Sequence, residues 1–244
     1  MTFHIISLFP KAFESYLGES IIKRAIEDKK IKVNFYNPRD YVPVGKRSFL
    51  QGRPPRAIRI DKPPYGGGPG MVVQALPVIK AIEVALAKSK FKNHPVKSRK
   101  AGISPKVKLF NRVKIIWLTP SGKQFTNLIA KNYSQKFSDL IIICGRYEGI
   151  DARVKKIYKV EEISVGPFVL TGGELPAMIV MDAVSRQIKG VLGKFDSLEE
   201  RRISSSDVYT RPEVLKYKGK SYKVPKVLLS GHHKKIEMWK GKKR

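Results

Sequence analysis

The stretch LIIICGRYEG, residues 140–149, decides the fold class. Its first half, Leu140 to Cys144, is an unbroken apolar run of strand length, and Gly145 follows it directly. A strand that is apolar at every position is buried on both faces, which is typical of a parallel sheet covered by helices. Glycines after such a strand let the backbone turn tightly and approach a ligand closely. The stretch therefore predicts an α/β protein with a ligand-binding loop after a buried strand.

Strands and helices alternate on both sides of this stretch. Apolar runs predict the strands, and helical spacing of apolar residues predicts the helices. The predicted strands are Phe3–Phe9, Ile31–Tyr36, Lys114–Thr119, Leu140–Cys144 and Tyr158–Val165, and the predicted helices are Ala12–Asp28, Leu76–Lys88, Lys123–Tyr133 and Glu174–Lys189. Such alternation indicates one parallel sheet with helices on both faces.

The chain is strongly basic. It has 244 residues, and 49 Lys and Arg stand against 20 Asp and Glu, which gives a formal net charge of +29. A surplus of this size repels itself in a folded protein, so we expect a polyanionic partner, above all a nucleic acid. Basic residues are dense between Lys88 and Lys114 and from Val214 to Arg244. We expect both segments to contact phosphates, which positions a nucleic acid without reading its sequence.

Cysteine usage and hydropathy exclude several other classes of protein. Cys144 is the only cysteine, so the chain has no intramolecular disulfide and no cysteine cluster for zinc. The N-terminal segment lacks the basic region and the long apolar region of a signal peptide. No apolar run is long enough to span a bilayer. We expect a soluble cytoplasmic protein.

Three glycine-bearing loops are candidates for a ligand site: Tyr65–Met71, Cys144–Gly149 and Leu170–Pro176. Each of them, taken alone, could simply be a tight turn between a strand and a helix. The third precedes a predicted helix, whose N-terminus offers free N–H groups. Neither the phosphate-binding pattern GxxxxGK[ST] nor GxGxxG after a strand is present. From the residues alone we predict a small-ligand site in a basic α/β protein.

These loops, together with several other segments, resemble the signatures of the bacterial tRNA (guanine-N1)-methyltransferases. The matching segments follow the family's order along the chain: 60–61 with 65–71, then 144–151, 170–178, 184–186, 190–193, 209–214 and 227–233. The resemblance implies an enzyme that moves the methyl group of S-adenosylmethionine to N1 of guanosine at position 37 of tRNA. It also implies a SPOUT-type α/β parallel sheet with a C-terminal trefoil knot and a small helical C-terminal domain.

The resemblance further implies a division of the chain and an oligomeric state. Residues 1–193 would form the methyltransferase domain, 194–208 an interdomain linker and 209–244 a small basic domain that binds tRNA. The family implies a homodimer in which the partner subunit completes each methyl-donor site. A role for magnesium stays open at this stage.

The resemblance assigns the donor pocket to three segments of the chain. The residues carried over are Trp117, Leu118, Thr119, Pro120, Gly122, Gly145, Glu148, Val165, Gly166, Phe168, Leu170, Gly172, Gly173 and Pro176. Ordinary core packing is the alternative interpretation for Trp117 and Phe168. The loop Gly66–Gly70 is expected near the target nucleotide or the methionine end of the donor.

Methylation at guanine N1 requires a base for the N1 proton and a positive group near O6, where negative charge develops. Arg186, in the Val-Ser-Arg motif, matches the family arginine assigned to O6; a surface salt bridge is its alternative role. The position of the family's aspartate base reads Arg201, which cannot accept a proton. Glu200 is the first candidate for the base, followed by Glu199 and Asp207.

Two alternative functions stay open on the sequence. One is a related SPOUT methyltransferase that modifies another RNA position. The other is an RNA-binding relative in which loss of the usual aspartate has ended catalysis.

Overall fold

The computed structural model describes residues 1–42, 59–89, 112–192 and 207–242. The chain divides into two compact units, Met1–Val191 and Leu192–Arg244. No helix within the described ranges is both long and apolar enough to cross a membrane.

The first unit is built on a five-stranded parallel sheet. Its strands are β1 (Thr2–Ile6), β2 (Lys32–Tyr36), β5 (Val113–Gln124), β6 (Asp139–Ile143) and β7 (Glu161–Ser164). They lie in the order β2-β1-β6-β5-β7, and every neighbouring pair is parallel. Two short strands, β3 (Asp61–Lys62) and β4 (Val72–Val73), form a separate antiparallel pair. The prediction of a parallel α/β sheet is confirmed.

Helices cover both faces of the sheet. In chain order they are α1 (Glu14–Leu17), α2 (Ser20–Glu27), α3 (Ala75–Lys88), α4 (Asn127–Lys136), α5 (Arg153–Ile157) and α6 (Glu174–Arg186). Alternate residues of β6 point into two cores, as the pleat of a strand requires. Leu140 and Ile142 pack with residues of α2, α4 and α6, whereas Ile141 and Ile143 pack with residues of α3 and α5. The central strand is therefore buried on both faces, as its sequence predicts.

Two predicted helices differ from the structure. The helix predicted over Ala12–Asp28 is wrong as a single element, because Gly18 ends α1 and Ser20 has a φ of 51°, which a right-handed helix cannot continue. The prediction also missed the 3-10 turn Pro10–Phe13. The helix predicted from Lys123 begins later, since β5 extends to Gln124 and Thr126 caps α4 by accepting a hydrogen bond from the Ile129 amide.

The second unit contains a β-hairpin and two helices. The hairpin pairs β8 (Val214–Tyr217) with β9 (Lys220–Lys223), and α7 (Lys226–Leu229) and α8 (His233–Lys242) follow. The rings of Tyr209 and Trp239 pack 6.2 Å apart, centroid to centroid. The expectation of a helical domain omitted the hairpin, because its strands have only four residues each, too few for their alternation to stand out from the basic sequence around them.

Candidate active site

A cavity of about 410 Å³ lies at the carboxyl edge of the parallel sheet. Three segments enclose it: residues 117–121 of β5, residues 145–150 after β6, and residues 162–173 from β7 to the start of α6. The first segment bulges out of the sheet, because Leu118 and Lys123 both pair with Ile163 and the residues between them project from the ladder. Two of the three glycine loops that the sequence singled out, Cys144–Gly149 and Leu170–Pro176, thus converge with a strand bulge on one space.

Nearly all residues expected at the donor pocket line this cavity. They are Trp117, Leu118, Thr119, Pro120, Gly145, Glu148, Val165, Gly166, Phe168, Leu170, Gly172, Gly173 and Pro176. Gly122 is not among the lining residues. A Cβ atom added to Gly122 would lie 2.5 Å from the Ile163 amide nitrogen, so this glycine packs against the backbone of β7 and closes the bulge.

Sequence reasoning missed several lining residues. Lys155 and Glu162 line the cavity and form an ion pair at 3.1 Å, and the Lys155 ammonium lies 5.5 Å from the centroid of the Trp117 ring. No sequence pattern marks either residue. Arg146 and Tyr147 also line the cavity. The sequence could have predicted them, because they belong to the same loop motif as Gly145.

A buried carboxylate ties the walls of the cavity together. Glu174 is only 3% exposed and begins α6. It accepts a hydrogen bond of 2.7 Å from the Ser7 hydroxyl, and its other oxygen lies 2.9 Å from Arg146 Nε, in ion-pair rather than hydrogen-bond alignment. The Arg146 guanidinium also donates to the Thr171 carbonyl and stacks over the Phe9 ring. The loops after β1, β6 and β7 are therefore held by one network.

The second and third loops approach each other at Gly173. Its amide donates a hydrogen bond of 2.9 Å to the Gly145 carbonyl. A Cβ atom at Gly173 would lie 2.6 Å from Cys144 Cα, which only glycine avoids. Burial raises the pKa of the Cys144 thiol, the Glu174 carboxylate adds to this effect, and Arg146 opposes it. Cys144 is therefore a packing residue and not a nucleophile.

The glycine loop at residues 66–70 lies beside the cavity. Gly66, Gly67, Gly68 and Gly70 all have positive φ. A Cβ atom at Gly70 would lie 2.5 Å from a carboxylate oxygen of Glu148, a lining residue, and the Glu148 amide donates to the Met71 carbonyl. The loop thus reaches the cavity through Glu148.

Arg186 is not among the residues that line the cavity. Arg186 is the last residue of α6, whose first residue follows Gly173. The twelve helical steps from Glu174 to Arg186 span about 18 Å at 1.5 Å per residue. Arg186 Nε is buried without a hydrogen-bond partner among the described residues. Asp207 is partly buried in the second unit, whereas Glu199, Glu200 and Arg201 lie outside the described residues.

The part of the chain that the structure describes holds no group of three His, Cys, Asp or Glu side chains that could bind a metal ion.

Comparison with known proteins identifies the reaction. All of residues 1–244 match the family described as tRNA (Guanine-1)-methyltransferase TrmD. The chain belongs to this family. It is 40% identical to the tRNA (guanine-N(1)-)-methyltransferase of Clostridioides difficile (strain 630), over 98% of this chain and 90% of the relative. It is also 40% identical to the enzyme of the same name from Caldanaerobacter subterraneus subsp. tengcongensis, over 100% of this chain and 86% of that one.

A solved structure shows the same relationship. The crystal structure of the tRNA (m1G37) methyltransferase from Aquifex aeolicus superimposes with a TM-score of 0.69 at 34% identity, over 98% of this chain and 87% of that chain. The chain is therefore a tRNA (guanine-N1)-methyltransferase, and the family implies S-adenosylmethionine as methyl donor. The function that the sequence predicted by resemblance is confirmed.

Proposed function

We propose that this enzyme binds S-adenosylmethionine in the cavity at the sheet edge and methylates N1 of guanosine 37 of tRNA as a homodimer. The observation that carries the proposal is the convergence of the three segments 117–121, 145–150 and 162–173 on one cavity of about 410 Å³. This size is typical of small-ligand sites. The solved relative from Aquifex aeolicus is named for position 37.

The lining of the cavity fits the donor. Trp117 and Phe168 offer apolar surface for an adenosine, while Gly145, Gly172 and Gly173 let the backbone approach it. The donor carries a positive sulfonium, and the Glu148 carboxylate at the cavity wall provides charge of the opposite sign. We therefore expect adenosine among the apolar residues and the sulfonium on the side of Glu148 and the glycine loop.

The path of the chain supports the knot that the family implies. After the edge strand β7 the chain returns to the end of the central strand β6, where Gly172 bridges to Arg146. On the way it passes the bulge at residues 119–122 of β5. We propose that this return is the threading step of the trefoil.

The position of Arg186 supports the dimer. A methyl group held in the cavity must lie about 3–3.5 Å from guanine N1, but Arg186 of the same chain lies about 15 Å along α6 from the lining residue Pro176. A second copy can bring its Arg186 to the guanine. Leu175, Ile179, Asp182 and Arg186 lie on one side of α6 at helical spacing, and Leu175 and Ile179 are 56% and 46% exposed. The exposed apolar pair Leu175 and Ile179, on the side of the helix that carries Arg186, supports an interface there.

The chemistry then divides between the two subunits. A carboxylate, Glu200 first and Glu199 or Asp207 next, accepts the N1 proton, and Arg186 stabilises the negative charge that forms on O6. N1 attacks the methyl carbon as its bond to sulfur breaks, and the sulfonium becomes a neutral thioether. Residues 209–244 would hold tRNA phosphates as a separate domain, joined by the linker 194–208.

A methyl-transfer assay tests which nucleotide is methylated and which side chain accepts its proton. Wild type, Arg186→Ala and Glu200→Gln are given labelled S-adenosylmethionine and tRNA transcripts with guanosine or adenosine at position 37, with and without magnesium. We expect guanosine-dependent transfer by the wild type and a loss of about 100-fold or more in both variants. Donor binding by Arg186→Ala, measured by calorimetry, stays at the wild-type value. Transfer to the adenosine transcript contradicts the proposed target.

Co-expression of two inactive variants tests the shared site. Gly145→Trp is designed to fill the cavity, since Gly145 lines it and an added Cβ atom there meets no atom within 4 Å, and Arg186→Ala removes the charge at O6. Each homodimer is expected to be inactive, but a mixed dimer contains one site with both parts intact. Random pairing makes half of the dimers mixed, so activity recovers to about a quarter of wild type. No recovery means that cavity and arginine act within one chain.

A further inference from the structure

The hairpin of the second unit carries an exposed aromatic face. The register pairs Leu215 with Tyr222 and Tyr217 with Lys220. Because side chains alternate along a strand, these four residues share one face, which we call the stacking face. Leu215, Tyr217 and Tyr222 are 56%, 59% and 53% exposed. Apolar surface left in water on so small an element indicates a binding surface.

All charged residues of the same hairpin are basic. Residues 214–223 contain four lysines and no acidic residue. Lys216 and Lys223 lie on the opposite face from the two tyrosines. The Lys218 ammonium lies 5.5 Å from the centroid of the Tyr217 ring, and Lys218 and Gly219 form the tight turn with φ of 46° and 72°. Aromatic rings are thus surrounded by cations that can reach phosphates.

We propose that the stacking face binds unpaired bases of the tRNA, with Tyr217 and Tyr222 each stacking on a base and the hairpin lysines contacting the neighbouring phosphates. The inference rests on the proposed function, because it names how the second unit holds the substrate. Bases in a duplex already stack on each other, so exposed rings select single-stranded loops. Tyr217 and Tyr222 are diagonal neighbours about 7–8 Å apart, a spacing that suits two adjacent, splayed nucleotides.

Charge excludes a second copy of the hairpin as the occupant of this face. Two hairpins with four lysines each and no acid repel one another. A polyanion with exposed rings removes this repulsion and covers the tyrosines at the same time. RNA provides both the charge and the rings.

Binding of tRNA to the full-length enzyme tests the proposal. The double variant Tyr217→Leu/Tyr222→Leu keeps apolar side chains but removes the rings, and Tyr217→Phe/Tyr222→Phe is the matched control. We expect the leucine variant to bind tRNA about 100-fold more weakly, about tenfold for each lost stack, and the phenylalanine variant to bind within about twofold of wild type. Thermal unfolding of both variants verifies that each is folded.

Salt dependence separates the rings from the lysines. The slope of log affinity against log salt is expected to be unchanged in the leucine variant and to fall by about two in Lys216→Ala/Lys223→Ala. Transcripts with single abasic positions in the anticodon loop locate the stacked bases, because the leucine substitutions have no further effect where the base is already missing.

Three results would overturn the inference: a leucine variant that binds tRNA like wild type, equal losses in the leucine and phenylalanine variants, or a leucine variant whose weaker binding accompanies dissociation into monomers in sedimentation. Methyl transfer by the wild type tests the proposed function separately. Ring-dependent tRNA binding without transfer to guanosine 37 leaves the inference standing and refutes the proposed target.

Discussion

Replacing Gly173 by Ala tests how closely the walls of the cavity are packed. The added Cβ would lie 2.6 Å from Cys144 Cα and 3.0 Å from the Gly145 amide nitrogen. Carbon atoms prefer a separation of about 3.5 Å, so the end of β6 and the start of α6 must move apart by about 0.9 Å. Overpacking of this kind costs about 1–3 kcal/mol, and weakening the Gly173–Gly145 hydrogen bond costs about 1 kcal/mol more.

The lower chain entropy of alanine in the unfolded state offsets about 0.4–1 kcal/mol of this cost. The net loss of about 2–3 kcal/mol corresponds to a fall in Tm of roughly 5–10 °C for a chain of this size. We also expect donor affinity to fall at least about tenfold, since a shift of this size misaligns two of the three loops.

Thermal unfolding and calorimetric titration with S-adenosylmethionine measure these two effects. The matched control is Gly145→Ala, which makes the same change in chain entropy next door but meets no atom within 4 Å. Its Tm should equal or exceed that of wild type by about 1–2 °C. If Gly173→Ala were as stable as Gly145→Ala and bound the donor normally, the close approach of the two loops would be refuted.

Buried groups give three more tests. Because burial raises the thiol pKa of Cys144, iodoacetamide at pH 8 should modify the native protein at least about tenfold more slowly than the unfolded chain; equal rates contradict the buried site. Burial and then the hydrogen bond to Asp182 raise the pKa of Tyr16 from 10.0 to about 12. This folded-state pKa exceeds the unfolded value, so the contribution of Tyr16 to stability is complete below pH 10 and is lost as the pH rises through 12; Tyr16→Phe should abolish that part of the pH dependence of unfolding. Glu174→Ala should cost about 2–3 kcal/mol in denaturant unfolding, below the 3–5 kcal/mol of a fully buried pair, because the Arg146 side chain is 24% exposed. Glu174→Gln keeps the acceptor for Ser7 and should lose about half as much; an equal loss in both would show that the charge carries the whole effect.

The spacing of apolar residues was sufficient to predict most strands of the sheet. It was insufficient where the backbone bends or bulges within an element. The apolar runs at β1 and β6 were found because both strands are fully buried, which leaves a plain signature in composition. The break at Gly18 was missed because apolar spacing continues across it. The continuation of β5 to Gln124 was missed because residues 119–123, TPSGK, are polar and typical of a turn. The basic hairpin of the second unit was missed because its strands are only four residues long.

The network around Glu174 shows a second limit. Ser7, Arg146 and Glu174 are distant in sequence, and nothing in their spacing connects them. Strand order brings them together, because β1 and β6 are neighbours and α6 begins above their ends.

The sequence by itself determined that the chain is a basic parallel α/β protein, which segments carry glycine loops, and, through the order of its motifs, the reaction class. These properties follow from composition, periodicity and short motifs, which can be recognised without knowing which segments contact each other. Only the tertiary structure showed that three separate segments enclose one cavity and that Arg186 lies at the other end of α6, about 15 Å along the helix from the lining residue Pro176. Distances between segments depend on strand order and helix direction, which no local pattern encodes.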